Sequence, residues 1–200
     1  TFALSSSLGV WVYDASNPDA EPFLLNGHSS TISNIEYSPD GQFLASAAYG
    51  GIVHIWHIPT RMIIQTLSGE WYITGMHFTA DSQSLIIFNA SIPEQIHRVS
   101  IETGQVQPYN FNFGDNEIYD FALHPSENIL AIFFDYPTPQ LSLWSLDGNI
   151  NPQVVMFPLP NTTPDWQIAF SADGSRLMGV SGNGIIAIWD VATASLITTY

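Results

Sequence analysis

Four tryptophans recur at a nearly constant spacing, and this repeat limits the possible folds more than any other feature of the sequence. Trp11 and Trp56 are 45 residues apart, Trp144 and Trp189 are also 45 apart, and 88 residues separate Trp56 from Trp144. A further copy falls midway, where Val99 occupies the tryptophan position. Self-similarity at a period of this length predicts one supersecondary unit repeated in series.

Turn sequences set the register of the repeat. A four-residue turn of the Ser-Pro-Asp-Gly type precedes each of the last four copies, at residues 38–41, 79–82, 124–127 and 171–174. An alternating stretch comes before each turn, an apolar run comes after it, and a mixed stretch follows the tryptophan strand. Each period therefore predicts four short strands, which we call a, b, c and d, and no helix.

The four predicted strands of one period cannot bury both faces of their sheet, so neighbouring sheets must stack on each other. Strand b is apolar almost throughout, as expected for a strand that is covered on both sides, and the mixed strand d suits an outer edge. These features predict an all-β fold, a β-propeller of four-stranded antiparallel blades.

The predicted blades cover the whole chain as a single segment, 1–200. Residues 1–27 supply a first blade without its strand a, and the fuller blades are 28–68, 69–112, 113–160 and 161–200. The sequence thus predicts a partial ring of about 4.5 blades, since closed propellers have about 4–8 complete ones.

Motifs in two of the copies resemble the WD40 repeat. Residues 27–28 read Gly-His, 38–41 read Ser-Pro-Asp-Gly, 55–56 read Ile-Trp and 188–190 read Ile-Trp-Asp. TolB-like or peptidase-type propellers, which share the Ser-Ala-Asp-Gly turn at 171–174, are the second choice. The resemblance implies structural roles for Trp11, His28, Asp40, Trp56, Asp81, Trp144, Asp173, Trp189 and Asp190.

Individual copies depart from the WD40 pattern. Gly-His occurs only at 27–28 and Trp-Asp only at 189–190, while Gly50 or Asn183 replaces the aspartate that many WD40 repeats carry between strands b and c. The hydrogen-bond network of Asp, His, Ser and Trp that braces such blades is therefore expected to be incomplete in every copy.

The charge balance excludes several classes of partner. The chain has 3 basic and 18 acidic residues, a formal net charge of −15, and no lysine. Binding to DNA, RNA or an anionic membrane requires clustered cations, and the apolar runs are far shorter than the ~20 residues that span a bilayer. We expect neither nucleic-acid binding nor membrane insertion.

No constellation of residues predicts catalysis. Six histidines lack the spacing of a metal site, and the absence of cysteine excludes disulfide scaffolds and thiolate zinc sites. Residues 179–183 lack the last glycine of a nucleophile elbow, and 182–184 suit a tight hairpin instead. We therefore expect no enzyme activity, no cofactor and no bound metal.

Function is expected on the loops at one face of the ring, because loops vary while strands hold the scaffold. Aromatic residues there are candidate anchors for a partner, namely Tyr49, Trp71, Tyr72, Tyr136 and Trp166. We expect a non-catalytic scaffold that presents this face to a protein or peptide; the remaining blades of a parent ring, or another copy of the chain, would be further partners.

The alternative is the propeller portion of a larger hydrolase, peptidase or dehydrogenase, or of a bacterial signalling protein, whose active domain lies outside this segment. The cellular compartment is left open. The low content of charged residues and the abundant Asn, Ser and Thr favour a bacterial extracytoplasmic location. A cytoplasmic location is also compatible with a chain that has no cysteine.

Overall fold

The computed structural model of the chain describes residues 1–69, 71–89, 95–109, 111, 117–136, 139–146, 155–160 and 166–200, without the side chains of 95, 117, 135, 136, 155 and 156. Within these ranges the chain forms 19 strands in five antiparallel sheets and no helix. Consequently no helix in these ranges is available to cross a membrane. Two compact units are present, Thr1–Pro108 and Tyr109–Tyr200.

Unit 1 contains sheets 1, 2 and 3, the last of which ends one residue beyond it. Sheet 1 has three strands: β1 (Phe2–Ser6), β2 (Gly9–Tyr13) and β3 (Phe23–Leu25). Sheet 2 has four: β4 (Ile32–Tyr37), β5 (Phe43–Ala48), β6 (Ile52–His57) and β7 (Met62–Leu67). Sheet 3 has β8 (Ile73–Phe78), β9 (Ser84–Asn89), β10 (Gln95–Ser100) and β11 (Val106–Tyr109).

Unit 2 contains sheets 4 and 5. Sheet 4 has β12 (Glu117–Leu123), β13 (Ile129–Tyr136), β14 (Gln140–Ser145) and β15 (Val155–Phe157). Sheet 5 has β16 (Gln167–Phe170), β17 (Arg176–Val180), β18 (Ile186–Asp190) and β19 (Ser195–Thr199). In sheets 2 to 5 the strands pair in chain order, as predicted for strands a to d. The extent of the five blades as one segment, 1–200, stays a prediction.

The turns between strands a and b are closed by their own side chains. In sheet 2 the Ser38 hydroxyl donates to Asp40 Oδ1 at 2.6 Å, and the same oxygen accepts the amide of Gln42 at 2.9 Å. Equivalent hydroxyl-to-carboxylate bonds, again 2.6 Å long, join Thr79 to Asp81 and Ser171 to Asp173. Side-chain bonds to the backbone are what Asp and Ser contribute in turns, so these three aspartates hold the turn geometry.

Sheets within a unit pack face to face by one rule. We call the face that carries the tryptophan position of strand c the tryptophan face, and the other the opposite face. The tryptophan face of sheet 2 (Leu44, Trp56) packs on the opposite face of sheet 1 (Val10, Val12). The same pairing joins sheet 3 to sheet 2 and sheet 5 to sheet 4. Each core is thus shared between two successive sheets.

Candidate interaction surface

The turn between strands b and c of sheet 2 packs directly against the loop that enters sheet 3. A Cβ atom on Gly51 would collide with the carbonyl oxygen of Gly69 and lie 2.8 Å from the amide nitrogen of Trp71. Gly51 also has a φ of +77°, a conformation that glycine adopts without steric strain. The two loops are therefore in backbone-to-backbone contact, and this contact requires glycine.

Hydrogen bonds fix the backbone around the two tyrosines that these loops carry. The amide of Tyr49 donates to Thr31 O at 3.0 Å, and the Ser30 hydroxyl donates to the carbonyl of Tyr49. The amide of Tyr72 donates to Asn89 Oδ1 at 2.9 Å. Both tyrosines thus stand on backbone that the neighbouring strands hold in place.

The side chains at this edge point into solvent. Tyr49 and Tyr72 are each 62% exposed, and Leu8, in the corresponding turn of sheet 1, is 63% exposed. We call these three residues the turn edge of unit 1. Tyrosine is one of the residue types enriched among the anchors of protein interfaces, so the turn edge is the candidate interaction surface.

Trp71, the third candidate in unit 1, is a supporting residue. It is partly buried against the core between sheets 2 and 3. Its ring stacks on the imidazole of His97, with the ring centres 5.5 Å apart. His97 is 7% exposed, and burial lowers its pKa. Trp71 therefore joins the loop to strand c of sheet 3 and leaves the exposed positions to the tyrosines.

Trp166 differs from the sequence prediction. It is fully buried, and its ring lies 5.7 Å from that of Trp189 in an edge-to-face arrangement. Gly179 makes room for it, since a Cβ there would be 2.8 Å from the Trp166 ring. Trp166 is a core residue of unit 2 and offers no surface to a partner. The side chain of Tyr136 lies outside the described residues, so its role stays a prediction.

The predicted structural histidine is part of a hydrogen-bonded brace in sheet 2. Nε2 of His28 is 2.7 Å from the hydroxyl of Ser46, and the indole of Trp56 donates to the same hydroxyl at 2.8 Å. Nδ1 of His28 is buried and has no hydrogen-bond partner among the residues that the structure describes. The brace therefore has three of the four members of the WD40 network, and Gly50 stands where many WD40 repeats carry the aspartate.

A second histidine, His54, supports the brace and was not predicted. Its ring centre is 4.3 Å from that of His28, and its nitrogens lie 3.0 Å from Thr66 Oγ1 and 3.3 Å from Gly27 O. The sequence could have indicated it, because a histidine stands two residues before the tryptophan position in two copies, His54 before Trp56 and His97 before Val99. Burial, with a smaller contribution from His54, lowers the pKa of His28 to about 4, and burial lowers that of His54. Both rings are neutral at neutral pH and stabilise the sheet through these hydrogen bonds and their mutual contact.

The other tryptophan positions are satisfied differently. The indole of Trp144 donates to Ser142 Oγ at 2.7 Å, and that of Trp189 donates to Pro158 O at 2.8 Å. Trp11 is partly buried, in sheet 1. Asp190 accepts the amide of Thr193 at 3.0 Å and forms an ion pair with Arg176. Trp144, Trp189 and Asp190 thus contribute hydrogen bonds to sheets and turns, and a structural role for Trp11 stays a prediction.

Intramolecular contacts engage all three basic side chains. Arg61 lies over the ring of Phe23 at 4.2 Å, Arg98 Nε donates to Ser84 Oγ at 2.9 Å, and Arg176 pairs with Asp190. With 18 acidic residues against 3 basic ones, negative charge dominates what the chain presents to a partner. Among the described residues no three His, Asp or Glu side chains come together as metal ligands.

Part of the chain matches a known repeat family. The model of the family described as "WD domain, G-beta repeat" matches residues 21–57, which run from the last strand of sheet 1 through the third strand of sheet 2. The serine-threonine kinase receptor-associated protein of Gallus gallus is 25% identical over 89% of this chain. The COMPASS component SWD3 of Saccharomyces cerevisiae is 20% identical over 99% of it.

The architecture also has a match among solved structures. The β-propeller domain of Cps50 (Swd1) from Myceliophteria thermophila superposes with a TM-score of 0.70, at 19% identity, over 87% of this chain and 58% of that one. This likeness supports the propeller fold. The chain spans 48% of the Gallus gallus relative and 63% of the yeast relative, so it corresponds to part of each.

Proposed function

We propose that this chain, a WD40-repeat β-propeller protein, is a non-catalytic scaffold that binds a protein or peptide partner at the turn edge of unit 1. The observation that carries the proposal is the pair of exposed tyrosines, Tyr49 and Tyr72, on loops that pack backbone to backbone. The names of two relatives, a receptor-associated protein and a component of COMPASS, describe proteins that work in association with others, which agrees with this role.

The physical case rests on preorganisation. A tyrosine offers a large amphipathic surface and has few rotatable bonds to immobilise. Binding is weakened when loops must first be ordered, but here the bonds from Ser30 and to Thr31 and Asn89 already order the backbone. A partner would therefore lose little affinity to the ordering of Tyr49 and Tyr72.

The charge of the chain favours a partner segment that contains Lys or Arg. With a net charge of −15 and its own arginines engaged, the chain attracts cations and repels acidic proteins. A cationic side chain over an exposed tyrosine ring gains about 0.5–1 kcal/mol from the ring electrons. Part of the affinity should therefore decrease as salt is added.

A peptide-display selection followed by titration tests the proposal. Peptides selected on the wild-type chain should be rich in Lys and Arg and should bind the Tyr49→Ser/Tyr72→Ser double variant about 10–100-fold more weakly, the loss expected for two aromatic anchors. Met62→Ser is the matched control, because Met62 is 64% exposed in the same unit but lies at the other end of sheet 2, beside the turn between strands c and d. Selected peptides that bind the double variant as tightly as the wild type would rule the turn edge out.

A further inference from the structure

Sheet 5 leaves its opposite face uncovered. On this face Met178 is paired with Ala169 and Ile188 on the adjacent strands, and Val180 is paired with Ile186. Met178 is 44% exposed and Val180 39% exposed. An apolar patch across neighbouring strands of this kind is typical of an interaction surface.

The repeat register shows what normally covers such a face. Counting from the tryptophans of strand c, Met178 and Val180 correspond to Ala45 and Ala47 of sheet 2. Both alanines are fully buried, because the tryptophan face of sheet 3 packs on them. Sheet 4 shows the same arrangement, with its opposite face covered by the tryptophan face of sheet 5. The face that fits the open side of sheet 5 is therefore a tryptophan face.

Sheet 1 has an uncovered face of that complementary kind. Its tryptophan face carries Phe2 opposite Tyr13 and Leu4 opposite Trp11. Phe2 is 46% exposed and Leu4 54% exposed, while the other face of the sheet is buried against sheet 2. Sheet 1 thus exposes a tryptophan face and sheet 5 exposes an opposite face, the two surfaces that pack together at all three sheet contacts described above.

We propose that two copies of this chain associate head to tail, with the opposite face of sheet 5 in one copy packed on the tryptophan face of sheet 1 in the next. The argument is continuity: the same pairing of faces already joins sheets 1 and 2, 2 and 3, and 4 and 5. The contact is heterologous, so each copy keeps one open face and association continues until a ring closes or a chain of copies forms.

The charge of the chain sets the salt dependence of this contact. Copies with a net charge of −15 repel each other, whereas the apolar residues of the two faces attract. Added salt screens the repulsion and leaves the apolar contact in place. Self-association should therefore strengthen with salt, the reverse of the effect expected for the basic partner of the turn edge.

Sedimentation analysis of single-face variants tests the proposal. The weight-average mass of the wild type should rise above the 22.1 kDa of one chain as its concentration increases. Leu4→Asp and Met178→Asp should each weaken self-association at least about tenfold, as expected for a charge placed in an apolar interface. Met62→Asp is the matched control, since Met62 is 64% exposed on β7, away from both faces.

Mixing the two variants gives the decisive result. The Leu4→Asp chain keeps an intact sheet 5 and the Met178→Asp chain an intact sheet 1, so the mixture should form a heterodimer and nothing larger. Circular dichroism of each variant confirms that it is folded. A wild type that stays monomeric at all concentrations overturns the proposal, as does loss of association with only one of the two variants, which indicates a symmetric contact instead.

Discussion

Sheets 2 and 5 are copies of one repeat, but sheet 2 is covered on both faces and sheet 5 on one. In sheet 2 every residue of strand b from Leu44 to Ala48 is buried. In sheet 5 the same strand, β17, alternates between exposed and buried residues, although Met178 and Val180 are as apolar as their counterparts. Strand b is therefore apolar in both sheets, although a second sheet covers its opposite face only in sheet 2.

The two sheets also differ in what fills the space beside the tryptophan. In sheet 2 Ser46 joins His28 and Trp56 in the polar brace, and His54, which is paired with Ser46, packs on the His28 ring. In sheet 5 the equivalent pair is Gly179 and Ala187. The indole ring of Trp166 occupies the space that these small residues leave beside Trp189. One repeat position thus supports either a hydrogen-bonded brace or a purely aromatic core.

The largest effect that tests this comparison comes from the same charge at equivalent positions of the two sheets. Ala45→Asp should lower the free energy of unfolding by about 4 kcal/mol or more, because a carboxylate without a partner would be buried between sheets 2 and 3. Met178→Asp should change it by no more than about 0.5 kcal/mol in dilute solution. Urea unfolding followed by circular dichroism measures both; equal destabilisation would show that sheet 5 is covered in the monomer.

The strands and their order could be predicted from the sequence, and one detail of their pairing could not. Each predicted stretch corresponds to a strand because alternating and apolar runs have the period of two that a sheet requires. Strand a has a shift in pairing register near its start, between Ile32 and Asn34 in sheet 2 and between Ile73 and Gly75 in sheet 3. The alternation of apolar and polar residues in the sequence does not show these shifts. A bulge adds one unpaired residue, and the apolar residues beyond it still alternate.

The candidate surface was predictable in part. Tyr49 and Tyr72 were identified because they flank turns, and turns lie on the surface. Trp166 has the same kind of sequence neighbourhood, yet it is buried, because Gly179 on a different strand leaves space for its ring. The contact between Gly51 and the loop at Gly69 was equally invisible, since tertiary packing alone brings the two segments together.

The next effect in size separates a covered turn from an open one. Gly51 in sheet 2 and Gly184 in sheet 5 have similar φ values, +77° and +85°, but a Cβ on Gly184 would meet nothing within 4 Å. Alanine at either position costs about 1–2 kcal/mol in backbone conformation. Gly51→Ala should cost about 1–3 kcal/mol more, since the added methyl group must displace backbone. Chemical denaturation of the two variants measures the difference, and similar losses would contradict the packed turn.

The smallest effect concerns acid and the histidine brace of sheet 2. The pKa of His28 is about 4 in the folded chain against 6.5 for an unperturbed histidine. Between these values the unfolded chain binds more protons than the folded one, so the contribution of the neutral ring to stability is complete above pH 6.5 and is lost as the pH falls toward 4. The melting temperature of the wild type should decrease across this window.

A glutamine at position 28 tests whether the brace is responsible. His28→Gln removes the titrating ring, so its melting temperature should decrease less than that of the wild type over the same window. We expect a modest difference, because His28 keeps part of its surface in water. Sheet 5 has Gly179 and Ala187 at the positions of Ser46 and His54, so it cannot form this histidine brace. An identical decrease in both proteins would assign the acid sensitivity to groups outside the brace of sheet 2.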